Sequence, residues 1–143
     1  MEAWQGSESL LAYLKAAVAR LDGFDSREGE RGSVASVRIW RREAPEIWAE
    51  VAANGDLWQM VATVGGFLYV DLNEGSSEAE VHADLDKLVE IARSYCDQRP
   101  QPRGRLSPKI TVRTPRGELV MPRSTATNIR EFFAGSWLRG PLR

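Results

Sequence analysis

His82, Cys96 and the run Asp71, Asn73, Glu74 and Gly75 are the positions at which this chain could do chemistry. One histidine in the whole sequence excludes any site built on two imidazoles, including the two-histidine zinc motifs. On a helical reading His82 lies between Glu78 and Asp86 at i−4 and i+4, an arrangement suited to surface salt bridging rather than catalysis. Cys96 falls near the end of a helical apolar stripe, so a packed thiol is expected there rather than a nucleophile. Asp71, Asn73 and Gly75 share the opening of a calcium loop. However, Ser76 stands where that loop needs glycine and His82 where it needs a bidentate Glu, so calcium is not expected. A magnesium site using Asp71 and Glu74 has nothing further to support it. Gly65-Gly66 is not followed by Lys-Ser/Thr, as a phosphate-cradling loop would be. The expectation is a protein without catalytic residues, cofactor or metal.

The elements that would position these residues centre on 57–96. Ser77 and Glu80 have capping-box spacing. Val81, Leu85, Leu88, Ala92 and Tyr95 then recur at helical steps, predicting a helix over 78–97. Glu80, Asp84, Asp86, Glu90 and Asp97 occupy its other surface, which reads as a solvated face or an acidic docking surface.

Before that helix, Asn54-Gly55 signals a two-residue hairpin turn. Such a turn sets Val51 opposite Trp58 and Ala49 opposite Met60. The core face of the sheet is then Ile47, Ala49, Val51, Trp58, Met60, Ala62 and Val64. At the next turn a three-residue loop, Gly65-Gly66-Phe67, is favoured, with Leu68, Val70 and Leu72 inward. A two-residue loop would instead bury Phe67, Tyr69 and Asp71.

Nearer the N-terminus, Ser7 is positioned to cap a helix over 8–22, with Leu10, Leu14, Ala17, Val18 and Leu21 inward and Gly23 at its C′ position. Residues 25–33 read as a mobile loop and 34–42 as a strand, with Pro45 in the following turn. After the long helix, 98–108 contains three prolines and a glycine and reads as an extended linker. A hairpin over 109–114 and 118–121 follows, turning at Pro115-Arg116-Gly117. Asn128 and Glu131 could open a last short helix carrying Ile129, Phe132 and Phe133, and the apolar tail beyond Gly135 is expected to dock on the domain or a partner. The order α-β-β-β-β-α-β-β-α predicts an α+β fold, an antiparallel sheet of about four to six strands with helices on one face.

A chain of 143 residues is expected to form one domain, residues 1–143, large enough for a core without disulfide staples. One cysteine allows no intrachain disulfide. No run is apolar enough to span a membrane and the first residues lack a signal-peptide pattern, so a cytosolic location is expected. The net charge of −1 conceals an asymmetry. Residues 1–97 carry 9 Lys+Arg against 18 Asp+Glu, whereas 98–143 carry 10 against 2. The two parts could neutralise each other, the basic part could contact nucleic acid, or the acidic part could meet a basic protein.

Strand parity places Arg38, Trp40, Arg42, Trp48 and Glu50 on the face opposite Ile39. Trp and Arg together are typical of binding hot spots. Arg38, Trp40, Trp48 and Arg42, with Glu80 and Asp84 of the helix, are therefore the candidate protein-binding residues. The alternative, a nucleic-acid-binding module, would use Arg99, Arg103, Arg105, Lys109, Arg113 and Arg116. A covering of the outer sheet face by the tail or C-terminal hairpin would leave it no binding role.

Met121-Pro122, then Ala126, then Arg130-Glu131-Phe132-Phe133-Ala134-Gly135 resembles the closing motif of a family of immunity proteins from bacterial polymorphic toxin systems. Val64-Gly65-Gly66-Phe67-Leu68-Tyr69-Val70-Asp71 is similar to that family's glycine-containing hairpin. The resemblance implies a non-catalytic cytosolic inhibitor that binds one toxin tightly, with the acidic part of the chain suiting a basic toxin surface. A dedicated chaperone or adaptor for a secreted protein is the other protein-binding reading.

Overall fold

A computed structural model describes residues 6–29, 34–53, 59–64, 66–72 and 77–123, in backbone alone at 59–64 and 70–72. The first helix, α1 (Ser7–Ala19), buries Leu10, Leu14, Ala17 and Val18 on one stripe. Its N-cap is Gly6, with no side-chain cap, and Ser7 is already helical. The helix ends early. The Arg20 and Leu21 N–H groups reach back three residues, to Ala17 O and Val18 O, so the last turn tightens before Gly23. Gly23 instead occupies the turn into the sheet, and its carbonyl accepts from the Arg42 N–H at 3.1 Å.

Residues 25–28, expected to be part of a loop, join Phe24 in β1 (Phe24–Glu28). Only Phe24 in it is buried, so the alternation by which a half-buried strand is recognised is absent. Four further strands follow: β2 (Ala35–Arg41), β3 (Ala44–Ala53), β4 (Gln59–Val64) and β5 (Phe67–Leu72). They pair antiparallel in chain order, β1-β2-β3-β4-β5. The α+β class and the antiparallel pairing are as expected.

Turns account for the departures in register. Arg41 pairs with Ala44, so Arg42-Glu43 makes the β2–β3 turn and Pro45 lies inside β3. Proline is tolerated there because the start of a strand can spare its N–H. Between β3 and β4, Val51 faces Ala62 and Ala53 faces Met60. That is four residues from the pairing a two-residue Asn54-Gly55 turn imposes, so the connection is longer. An even shift preserves parity, and Ala49 and Val51 remain in the core. Asn54, Gly55 and Trp58 lie outside the described residues.

The expected three-residue loop before β5 is overturned. Val64 pairs directly with Phe67, and Gly66 adopts φ +90°, which suits the tight turns that join twisted strands. Phe67 is consequently buried and Tyr69 packs against the core.

The second helix, α2 (Glu78–Gln98), begins with the expected capping box: the Glu80 N–H donates to Ser77 Oγ at 3.3 Å and the Ser77 N–H to Glu80 Oε1 at 3.4 Å. Val81, Leu85, Leu88, Ala92 and Cys96 are buried against Leu10 and Leu14 of α1 and Val37, Ile39, Ala49 and Val51 of the sheet. A separate hairpin, β6 (Lys109–Thr114) and β7 (Gly117–Pro122), adds Ile110, Val112 and Met121 to the same core. Its turn is held by Thr114 Oγ1, which accepts from the Arg116 N–H and donates to Gly117 O. Gln98 ties it to α2: its amide donates to Arg113 O, and the Arg113 N–H donates to its carbonyl at 2.9 Å. Phe67 and Arg123 form an isolated bridge, which brings the end of β7 to the start of β5. The expected helix near 128–135 and the tail fall outside the described residues.

One close approach has a testable cost. A Cβ on Gly29 would stand 1.7 Å from Ser36 Oγ and 2.9 Å from Glu50 Oε1, and both residues are buried. Gly29→Ala should therefore lower stability by about 1–3 kcal/mol. In a double-mutant cycle read by urea unfolding, Ser36→Gly should relieve part of that loss; strict additivity would refute the clash.

Candidate functional site

The outer face of β2 and β3 carries the candidate protein-binding residues. Trp40 and Trp48 are direct cross-strand partners, both half-buried. The Arg38 guanidinium lies over the Trp48 ring, 3.7 Å from its centroid, a cation–π contact that holds both planes together. The face is divided. At its other end Ser36 is 1% exposed, Glu50 3% and Ala52 0%, so that end is covered while the tryptophan end is partly open. Ser36 Oγ finds no hydrogen-bond partner among the described residues.

Arg42 does not join this group. It sits in the β2–β3 turn and donates to Asp25 Oδ1 at 2.8 Å and to Phe24 O. Neighbouring Arg41 pairs with Glu43 at 2.6 Å and with Asp97. The hydrogen bond from Arg41 holds the Glu43 carboxyl below its ordinary value, helped by a backbone N–H.

Glu80 and Asp84 are on α2, the layer covering the opposite face of the sheet from Trp40 and Trp48, so the structure does not gather the candidates into one surface. The α2 acids are also engaged within the chain. Glu80 completes the capping box, Asp86 accepts from Tyr13 Oη at 2.9 Å, Glu90 meets Arg116 and Asp97 meets Arg41 and Arg93. Asp84 also has an interaction partner.

His82 stands 4.0 Å from Glu78, but its ring stacks on Tyr13 with centroids 3.8 Å apart and planes within 8°. Burial, then the bond to Asp86, raises the Tyr13 pKa. No signal along α2 announces this contact, because the partner comes from α1.

Cys96 is the packed thiol that its position implies. It is 1% exposed, with Sγ 3.8 Å from Ile47 O and 3.9 Å from Ile39 O. Burial first, and then the Asp97 charge, push its pKa from an ordinary 9.0 to about 12. Between those values unfolding releases a proton that the folded thiol keeps, so stability falls as pH rises. The contribution is up to about 1.4 kcal/mol per pH unit. Urea unfolding across pH 8.5–11 should show a steeper decline for the wild type than for Cys96→Ala; parallel slopes would contradict the buried-thiol account.

The basic candidates separate into two groups. Arg99, Arg103, Lys109 and Arg113 line one groove of about 620 Å³ between the end of α2 and β6. Arg116 is elsewhere, its Nε 2.9 Å from Glu90 Oε2, and Arg105 is exposed on the loop between 103 and 109. Gln98, which organises the groove wall, carries no charge or motif by which the sequence would single it out.

Among the described residues no group of three or more His, Cys, Asp or Glu is placed to hold a metal ion. No described helix is long and apolar enough to cross a membrane. Asp71, in its side chain, and 73–76 lie outside what is described, and with them the residues weighed as calcium or magnesium ligands. With an antiparallel α+β fold and two candidate surfaces in place, comparison with protein-family models, curated proteins and solved structures finds no match to this chain.

Proposed function

We propose that this chain is a non-catalytic protein-binding protein, and specifically an immunity protein that binds and inhibits a cognate bacterial toxin in the cytoplasm. The observation that carries the binding role is the Trp40–Trp48 cross-strand pair with Arg38 stacked on Trp48 at 3.7 Å. Two large rings and a guanidinium held by strand backbone offer apolar area and directed hydrogen bonds with little side-chain freedom left to lose on binding. The immunity reading adds the resemblance carried by Met121-Pro122 and by 126–135.

The test is capture of the tagged protein from its native cells, washed at low and then high salt. A complex with a well-packed centre survives high salt better than one held by surface charge. One protein should persist through the high-salt wash, arrest growth when expressed alone, and be neutralised by co-expression of this chain. A retained protein that is harmless alone would favour the chaperone or adaptor reading, and retention of nothing would overturn both.

A further inference from the structure

The charge asymmetry of the chain is only partly cancelled among the described residues, where Arg99 lies near enough to Glu43 to add to the lowering of its pKa. Of the ion pairs among the described residues, only Arg116–Glu90 joins the basic segment to the acidic part. Arg99, Arg103 and Lys109 make no ion pair among those residues, and Arg113 meets only Glu118 at 3.5 Å, with both side chains largely exposed. A pair in that setting contributes about 0–1 kcal/mol. Among the described residues, the groove between α2 and β6 therefore gathers four cations against one carboxylate.

Their backbones are fixed. Arg99 takes φ 49° and its N–H bonds to Tyr95 O at 2.8 Å, ending α2. Arg103 and Lys109 exchange backbone hydrogen bonds, each 2.8 Å. Arg113 is clamped by the Gln98 amide. Along β6, Ile110 and Val112 are buried while Lys109, Thr111 and Arg113 are exposed. This strand thus presents a cation, a hydroxyl and a cation at steps of about 6.8 Å.

We propose that this groove binds the phosphodiester backbone of single-stranded nucleic acid, without base specificity. Arg99, Arg103, Lys109 and Arg113 contact phosphate oxygens and Thr111 donates its hydroxyl between them. None of the described lining residues is aromatic, so these residues give bases no platform to stack on and charge supplies the affinity. The periodic exposed row on β6 favours a repeating anion over a compact one. The site uses none of the outer-face tryptophans, so it stands or falls separately from the toxin-binding proposal.

The experiment is fluorescence anisotropy of the full chain with labelled oligo(dT) across a salt series. Four phosphate contacts predict a log–log salt slope of about −3. Arg103→Glu with Lys109→Glu should weaken binding more than tenfold at low salt, with circular dichroism unchanged. Arg116→Gln, outside the groove, should bind as wild type. Absence of binding at low salt overturns the proposal, as does a groove variant that binds undiminished. Displacement of oligo(dT) by equimolar tripolyphosphate would overturn the strand as occupant in favour of a compact polyanion. Loss of the captured protein partner, rather than of oligo(dT), in the groove variant would assign the groove to an acidic protein surface instead.

Discussion

Trp40→Ala combined with Trp48→Ala should weaken binding of the protein partner on the order of a hundredfold. Each ring is half-buried, so it retains area to bury in a complex, and truncating a central tryptophan commonly costs 2 kcal/mol or more. Because the two are cross-strand neighbours, their effects will not add fully. A combined loss of about 3 kcal/mol corresponds to the stated change in affinity. Trp48→Ala also strips Arg38 of the ring it stacks on, so this variant alone should exceed Trp40→Ala. Titration calorimetry with the captured partner measures both, and a thermal melt separates lost binding from lost fold. Undiminished affinity in the double variant would remove the outer sheet face from the interface.

The largest effect on stability is expected from Leu85→Ala. Leu85 is 0% exposed and sits in the core cluster shared by both helices and the sheet. Deleting its three terminal carbons loses their transfer free energy and leaves a cavity that neighbours on rigid elements cannot fill. The expected loss is about 3 kcal/mol, within the range of about 2–5 seen for buried Leu→Ala changes. Leu106, at 98% exposed, is the matched control, and Leu106→Ala should move the urea midpoint very little. Equal shifts in the two variants would mean that α2 does not pack as described.

Some of this was legible in advance because the signals are local. Ser77 and Glu80 satisfy one another within four residues, and the stripe from Val81 to Ala92 needs only helical periodicity. Parity likewise brought Trp40, Trp48 and Arg38 to one face. What failed depended on partners elsewhere in the chain. β1 exists because β2 supplies its hydrogen bonds, while its own residues lack alternation. The β3–β4 register depends on a connection whose length the Asn-Gly pair does not determine. Phe67 could be read as loop or strand, and packing of its ring in the core decides between them. Arg42 lost its strand position to a register shift at Trp40/Arg41 and a two-residue turn. The groove was half legible: its cations are dense in sequence, but the αL end of α2 and the Gln98 clamp, which divide Arg113 from Arg116, are not.

Pairing of the five strands in chain order bears on how the protein is made. Each ladder joins sequence neighbours, so the loops that must close are short and the entropic barrier to forming the sheet is low. The β6–β7 hairpin is different, since its anchors Glu90 and Gln98 belong to α2 and it emerges from the ribosome after both. Until it docks, the side of α2 that Ile110, Val112 and Met121 cover is bare, and the β5 edge lacks its bridge from Arg123. The nascent chain is thus exposed to self-association until β6 and β7 arrive, and their docking covers that side of α2.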